Sequence, residues 1–272
     1  MNSNKIFNNQ FKKLKEKQSN IKFDKISNYF LQNLFSILQN KRKLQIIKYN
    51  IVIQNILNIT INDYKNYFEV FTPIEIEIKP IKNKFGKFIN NEGEESYYHI
   101  YFNDNKNETK INYISKENSV SKIKIIIDYQ VQSFKRLFSY CKCIESIIFK
   151  KFNRNNITDM KEMFSNCSFL EKIDFLNFNT QNVIDMSGMF SFCTAIKELN
   201  LSKFNFSNVT DLSGMFIGCS SLKELNIPFF NNNELINVNG MFSGCAIDFK
   251  KKIRQKYKFV NNKAFDYLYI YQ

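Results

Sequence analysis

Cysteine is the residue of this chain whose chemistry and spacing are most regular. Five of the six cysteines recur at a fixed step of 26 residues, and Cys143 forms a C-x-C pair with the first of them. Regularly spaced thiols could hold a metal ion or a redox centre. Zinc sites, however, use thiol pairs about two to four residues apart, and this step leaves the thiols unpaired. We therefore predict buried apolar side chains, no metal and no cofactor, for the column Cys141, Cys167, Cys193, Cys219 and Cys245.

The other candidate for chemistry is His99, the only histidine. It lies inside the aromatic segment YYHIYF (97–102), with no cysteine nearby. We interpret it as a strand residue and not as a metal ligand. The chain has no glycine-rich phosphate loop and no cluster of acid, base and nucleophile. The sequence therefore predicts a protein that is not an enzyme and that has no small-molecule substrate.

The cysteines belong to a repeat in which several columns share the 26-residue step. In the unit that begins at Asp185, the residues Met186, Met189, Phe190 and Cys193 have the i, i+3, i+4, i+7 spacing of one helix face. Asp185 precedes this face, where a carboxylate can cap free N–H groups. We therefore predict one helix in each repeat. The phenylalanine column is Phe138, Phe164, Phe190, Phe216 and Phe242.

A short strand is predicted after each helix. Leu199 and Leu201 alternate with polar residues, as do Leu225 and Ile227 one unit later. One parallel strand and one helix in each unit predict an α+β fold in which residues 129–245 form a right-handed solenoid of five repeats. We expect a further column of asparagines to bond to the turn backbone of adjacent units, namely Asn153, Asn179, Asn205 and Asn231.

Two consecutive units carry a family resemblance. NVIDMSGMFSFCTAIKELNL (182–201) and NVTDLSGMFIGCSSLKELNI (208–227) resemble the 26-residue repeat of BspA-like leucine-rich-repeat proteins. These proteins are found on bacterial surfaces and are expanded in several protists. The resemblance covers residues 131–247. It implies a leucine-rich-repeat-type fold, a binding or adhesion role, and a surface or secreted location.

The segments around the repeats predict four further parts. Residues 1–20 are polar and Lys-rich, which indicates a flexible basic leader. Residues 21–71 have the apolar stripe of a small helical module, and its LFSIL segment loosely resembles an F-box. Residues 72–128 alternate apolar and polar side chains, which predicts three or four mostly antiparallel strands. Residues 246–272 are predicted to cap the last repeat.

The formal net charge of +14 is unevenly distributed. Residues 157–245 contain 5 Lys and no Arg against 9 acidic residues, a net charge of −4, so the rest of the chain carries +18. Basic flanks of this kind could contact nucleic acid or another anionic surface. The N-terminus has no apolar signal region, and no apolar run reaches about 18 residues. These features predict a cytoplasmic protein without a membrane span.

The exposed strand face of the repeats is where we expect function, since such faces are commonly binding surfaces. The sequence predicts a non-enzymatic module that binds a protein partner, whose identity it does not specify. Two alternatives remain open: an F-box-like substrate adaptor that uses the N-terminal helices, and an anionic-surface or nucleic-acid binder that uses the basic flanks. The predicted outward residues are Lys172, Asp174, Glu198, Asn200, Glu224 and Asn226.

Overall fold

The computed structural model describes residues 54–55, 72–175, 178–228, 236–257 and 260–266. The chain divides into two compact units, Met1–Phe68 and Glu69–Gln272. The predicted leader lies outside the described residues. So does the predicted helical module, including its F-box-like segment, except for Gln54 and Asn55, which are helical.

The described part of the second unit contains nine strands, one α-helix and two short 3-10 helices. The strands are β1 (Ile74–Pro80), β2 (Gly86–Lys87), β3 (Tyr98–Phe102), β4 (Tyr113–Ile114), β5 (Ile123–Ile127), β6 (Ile144–Lys151), β7 (Lys172–Asp174), β8 (Glu198–Asn200) and β9 (Glu224–Asn226). The α-helix, α1, is Ile247–Lys256, and the 3-10 helices are Glu95–Tyr97 and Asn262–Phe265.

These strands form three separate sheets. The largest has the order β3-β5-β1-β6-β7, in which β7 is parallel to β6 and the other pairs are antiparallel. The pairs β2-β4 and β8-β9 form two-stranded sheets. Alternation explains the large sheet: Ile74, Ile76 and Ile78 are fully buried on one face of β1, while the glutamates between them lie on the other face.

The prediction of one helix in each repeat is wrong. In the unit that begins at Asp185, Met189 N–H donates to Met186 C=O, which closes a turn, whereas Phe190 N–H donates to Met215 C=O in the next unit. Gly188 (φ 60°) and Phe192 (φ 55°) have left-handed backbone conformations, which a right-handed helix cannot contain. Each unit is therefore a run of tight turns whose N–H groups alternate between the turn itself and the following unit.

The predicted fold class is also contradicted. The strands of the repeats do not join into one solenoid sheet, because β7 belongs to the large mixed sheet and β8 pairs only with β9. Among the described residues of the second unit the single α-helix, α1, follows the repeats and lies in none of them. The architecture is a mixed sheet followed by stacked turns, and not a leucine-rich-repeat solenoid.

The turn segments lie directly on one another. We call them the repeat stack, residues 133–141, 159–167, 185–193, 211–219 and 237–245. Parallel bridges connect them through Ser133, Asp159, Asp185, Asp211 and Asn237. The phenylalanine column is fully buried, with successive ring centroids 5.5 to 5.7 Å apart and ring planes within 9° of parallel. This column is the centre of the apolar core.

Arg154 joins the large sheet to the repeats. Its side chain is fully buried. The guanidinium donates to the carbonyls of Thr72 (2.7 Å), Ile127 (2.8 Å) and Tyr129, which lie at the ends of β1 and β5. Burial lowers the pKa of Arg154 to about 10, so the group stays protonated near neutral pH. Backbone carbonyls thus take the place of a paired carboxylate.

The N-terminal end of the repeat stack is closed by Asn90. Its N–H donates to the carbonyl of Leu137 at 2.8 Å. Its side-chain amide donates to the carbonyls of Arg136 (2.9 Å) and Ser139 (2.8 Å). Leu137 and Ser139 hold the positions of Met163 and Ser165, whose carbonyls accept from the preceding unit, so Asn90 supplies two of the donors that a preceding unit would have supplied.

The C-terminal end of the stack is closed by the last 3-10 helix and by the end of α1. Gly240 and Phe242 donate their N–H groups to the carbonyls of Lys263 (2.8 Å) and Ala264 (2.7 Å). Phe265 stacks on Phe242, with ring centroids 5.4 Å apart. This segment therefore imitates one further, shortened unit.

Candidate partner-binding surface

The candidate surface is built on β8 and β9, which lie side by side in parallel register. Leu199 and Leu225 point into the core and are 4% and 3% exposed. The residues before and after each leucine face the other way and are exposed. The register places Glu198 opposite Glu224 and Asn200 opposite Asn226.

The structure brings four of the six predicted residues together and places the other two on a different sheet. Lys172 and Asp174 lie on β7, opposite Ser146 and Ile148 of β6. Lys172 is exposed, whereas Asp174 is half-buried. The predicted row is therefore two adjacent groups and not one continuous ladder.

The two glutamates of the β8–β9 pair differ in their surroundings. Lys252 of α1 forms an ion pair with Glu224, and this contact lowers the pKa of that carboxyl. Among the described residues, Glu198 has no ion-pair partner. Like charges placed directly opposite each other on paired strands are destabilising. A cation at Glu198 would relieve this repulsion, as Lys252 does at Glu224.

Four of the five cations of α1 have partners within the described structure, including Lys256, whose ammonium lies 5.0 Å from the centroid of the Tyr257 ring. Lys252 pairs with Glu224, and Lys251 lies 3.8 Å from Asp248. Arg254 lies over the Phe265 ring at 4.3 Å from its centroid. The apolar side of the helix is buried through Phe249 and Ile253. Lys251 and Lys252 remain 70% and 56% exposed, so anionic-surface binding through this basic flank stays a prediction.

The same face continues across the large sheet, which sequence reasoning missed. One row runs from Asp174 through Ile148, Glu77 and Lys124 to Tyr101, one residue from each of the five strands. The alternation of residues 74–80 and 122–128 gave the outward side of each strand. It gave no signal for strand order, so the extension could not be read from the sequence.

The cysteine column lies inside the core. All six cysteines are free thiols and are buried. The last four members of the column donate to the carbonyl of the phenylalanine 29 residues earlier, at 2.9 to 3.1 Å. Burial raises the pKa of Cys143 to about 11 and the pKa values of Cys167 and Cys245 to about 12. Protonated, bonded thiols are poor nucleophiles and poor metal ligands.

Two members of the asparagine column have a different role from the one predicted, and a third, Asn231, lies outside the described residues. Asn179 and Asn205 accept bonds from the N–H groups two residues later, at 2.9 and 2.8 Å, so they stabilise their own turns. Bonds to the adjacent unit come from another column, three residues after the first. Its side-chain amides each donate at 2.8 Å to a carbonyl of the preceding unit, and its members are Asn156, Asn182 and Asn208.

The described residues contain neither a candidate metal-binding cluster nor a candidate membrane-spanning helix. No group of three or more His, Cys, Asp or Glu side chains in this part of the chain is placed to hold a metal ion. No helix within the same residues has the length and apolarity needed to cross a membrane.

Comparison with known proteins gave one match. A family model described as "Mycoplasma protein of unknown function, DUF285" matches residues 132–258, which span the repeats and α1. No curated protein and no solved structure matches the chain.

This match corrects the family resemblance inferred from the repeats. The matching model is the DUF285 family and not a BspA-like leucine-rich-repeat family. The low helix content of the described repeats also disagrees with a leucine-rich-repeat solenoid. The adhesion role and the surface location that the resemblance implied therefore lose their basis.

Proposed function

We propose that this chain is a non-enzymatic protein-binding module whose docking surface is the outward face of β7, β8 and β9. One observation carries the proposal: the β8–β9 register gathers Glu198, Asn200, Glu224 and Asn226, from units 26 residues apart, into one exposed polar group. The buried leucines between them fix the positions of these side chains. A rigid, polar and repeated surface suits recognition of a protein partner.

Free, buried thiols support a cytoplasmic setting for this activity. Disulfides form in oxidising compartments and are rare in the cytosol. All six cysteines are unpaired, and we propose that the module works in the cytoplasm. The surface carries acceptors and donors but no grouping of acid, base and nucleophile, which suits binding rather than catalysis.

Affinity capture with the full chain tests the docking surface. We expect Glu198→Lys to reduce capture of the partner by about tenfold or more, because charge reversal at an interface places like charges against each other. Glu117→Lys is the matched control, since Glu117 is an exposed loop residue of the large-sheet region and the charge change is identical. The control should capture as well as the wild-type chain.

The stability of Glu198→Lys shows whether a loss of capture comes from misfolding. Glu198→Lys replaces a Glu–Glu pair across β8 and β9 by a Lys–Glu pair, so its free energy of unfolding should stay within about 0.5 kcal/mol of wild type. Equal capture by both variants, or equal loss in both, would show that the strand face is not the docking surface.

A further inference from the structure

His99 lies between two carboxylates, and a neutral imidazole cannot donate a hydrogen bond to both. Its Nδ1 is 3.0 Å from Glu108 Oε2, and its Nε2 is 3.2 Å from Asp128 Oδ1. Both neighbours are carboxylates, which accept and do not donate when ionised. Neutral imidazole carries a single N–H, whereas imidazolium carries two. Both contacts are hydrogen bonds only when the ring is protonated.

The two carboxylates belong to different parts of the fold. Asp128 directly follows β5, which pairs with β3 through His99 and Ile126. Glu108 lies in the loop of residues 103–112, which follows β3. His99 therefore connects this loop to the sheet.

The loop covers the free edge of β3, which is the terminal strand of the large sheet. Thr109 N–H donates to the carbonyl of Ile100 at 2.8 Å and forms an isolated bridge with that residue. At the start of the loop, Asn103 Oδ1 accepts from Ser121 N–H at 2.8 Å. Asn103 does not titrate, and the neighbouring Asp104 forms an ion pair with Lys122 at 2.9 Å. The His99 proton therefore acts at the other end of the loop, at Glu108.

We propose that the protonated side chain of His99 holds loop 103–112 over the edge of β3 and releases it on deprotonation. We call His99, Glu108 and Asp128 the clasp. In the protonated state the imidazolium donates to Glu108 and Asp128 together. Loss of the proton leaves one carboxylate facing a ring nitrogen that carries only a lone pair. The cover of the sheet edge then depends on pH. This inference is independent of the proposed protein-binding function.

Other charged groups near the clasp carry both signs, and the cations among them oppose protonation of the ring. Lys110 pairs with Glu108, and that contact and His99 lower the pKa of the Glu108 carboxyl. Lys124 and Glu75 lie on the same face of the sheet, on the strands beyond β3. Arg154 is buried beside the end of β5, where burial lowers its pKa and the charge of Asp128 partly opposes this. Tyr101 shares the outward side of β3.

The direction of the pH effect follows from the contacts. The hydrogen bond to Glu108 raises the pKa of His99, burial opposes this, and Asp128 adds to the rise. A raised folded-state pKa gives a contribution that is complete below the unfolded value of about 6.5 and is lost as pH rises through the folded value. Protonation of Glu108 at acid pH also opens the clasp, below the usual range because Lys110 and His99 lower the pKa of that carboxyl.

Because His99 is the only histidine, its imidazole signal in an NMR titration of the full chain is unambiguous. We expect its pKa to lie above about 6.5 and to fall in both Glu108→Gln and Asp128→Asn. Glu117→Gln is the matched control and should leave it unchanged. A value at or below about 6.5 in the wild-type chain, or the same value in all four proteins, would overturn the proposal.

Amide exchange of Thr109 tests the clasp itself. After correction for intrinsic rates, its protection in wild type should fall about two- to fivefold between about pH 5.5 and pH 8.5, the effect expected for an exposed ion pair. In His99→Gln the protection should be independent of pH over this range. Equal pH dependence in the two proteins would show that His99 does not hold the loop.

Discussion

The two ends of the repeat stack are closed by different chemical groups, and the direction of the backbone bonds explains the difference. Within the turns, backbone bonds between units run from an N–H of one unit to a carbonyl of the next, as from Phe190 to Met215. Bonds in the opposite direction come from the residues that enter each turn, as from Ile184 to Thr158, and from the cysteine thiols. Without caps, carbonyls of the first unit and N–H groups of the last unit would lack hydrogen-bond partners. Asn90 supplies donors at one end, and the carbonyls of Lys263 and Ala264 supply acceptors at the other.

The ends also differ in how they close the side-chain core. At the C-terminal end Phe265 continues the phenylalanine column, so the cap repeats the packing as well as the hydrogen bonds. Tyr257 closes the strand edge there, because its hydroxyl accepts from Ile227 N–H (3.2 Å) and donates to Leu225 C=O (3.1 Å). Stacked turns of this kind therefore need two caps of opposite polarity.

The largest effect should come from the middle of the column and not from either end. Phe190 stacks on both neighbours, so we expect Phe190→Ala to lower the free energy of unfolding by about 3–5 kcal/mol through the cavity it leaves. Phe265→Ala should cost less, because Phe265 stacks on one side only. Denaturant titration measures both values. A loss below about 1 kcal/mol for Phe190→Ala would place this column outside the core.

The residue type at one left-handed position separates the C-terminal half of the stack from its N-terminal half. Gly218 (φ 68°) occupies a left-handed position where Tyr140 and Phe192 stand in earlier units. A Cβ at Gly218 would lie 2.5 Å from the Phe192 ring, whereas a Cβ at Gly214 would lie no closer than 3.6 Å to any other group.

We therefore expect Gly218→Ala to cost about 2–3 kcal/mol and Gly214→Ala about 1–2 kcal/mol, the second from conformation alone. Thermal unfolding of the two variants measures the difference. Equal losses would mean that the Phe192 ring moves aside without cost.

Asn90 tests whether the N-terminal cap must donate. Asn90→Ala removes two side-chain donors and should cost about 1–2 kcal/mol. Asn90→Asp is the sharper variant, since it turns an ionised carboxylate towards the carbonyls of Arg136 and Ser139. We expect it to cost more than Asn90→Ala at neutral pH and to recover as the carboxyl is protonated in acid. Denaturant titrations at neutral and at acid pH measure the free energy of unfolding of both variants. If Asn90→Asp costs less than Asn90→Ala at neutral pH, the assignment of Asn90 as a hydrogen-bond donor is wrong.

The smallest effect should be that of Tyr257→Phe. Loss of the hydroxyl leaves Ile227 N–H and Leu225 C=O without this partner, while the ring stays in place. We expect a cost of about 1 kcal/mol and faster amide exchange at Ile227, without a change at Gly240. Unchanged exchange at Ile227 would show that the strand edge is closed in another way.

The sequence predicted which residues are buried better than it predicted the backbone. The spacing of Met186, Met189, Phe190 and Cys193 placed all four side chains on one apolar side, and all four are fully buried. Tight turns meet the same requirement, so spacing alone did not exclude a helix there. The missed signal was glycine in the centre of the predicted helix, as at Gly188, where φ is positive.

The candidate surface was predictable only within a unit. Alternation gave the outward side of Glu198 and Glu224, and a fixed period gave their alignment. Neither pattern predicted that the strand pairing is interrupted between β7 and β8. Neither predicted that Asn90 caps the stack, since its side-chain partners lie 46 and 49 residues later. Such contacts depend on tertiary packing, which a local pattern does not encode.

The one-way bonding of the turns has a consequence for how the length of this protein can change. Asp185 and Asp211 hold equivalent positions, and their carbonyls accept from Met160 and Met186 respectively. Removing or duplicating an internal 26-residue unit would join surfaces that already match, and both caps would keep their partners in the first and last units. The stack can therefore lengthen or shorten in whole units, whereas a change of any other size would break the register of every column.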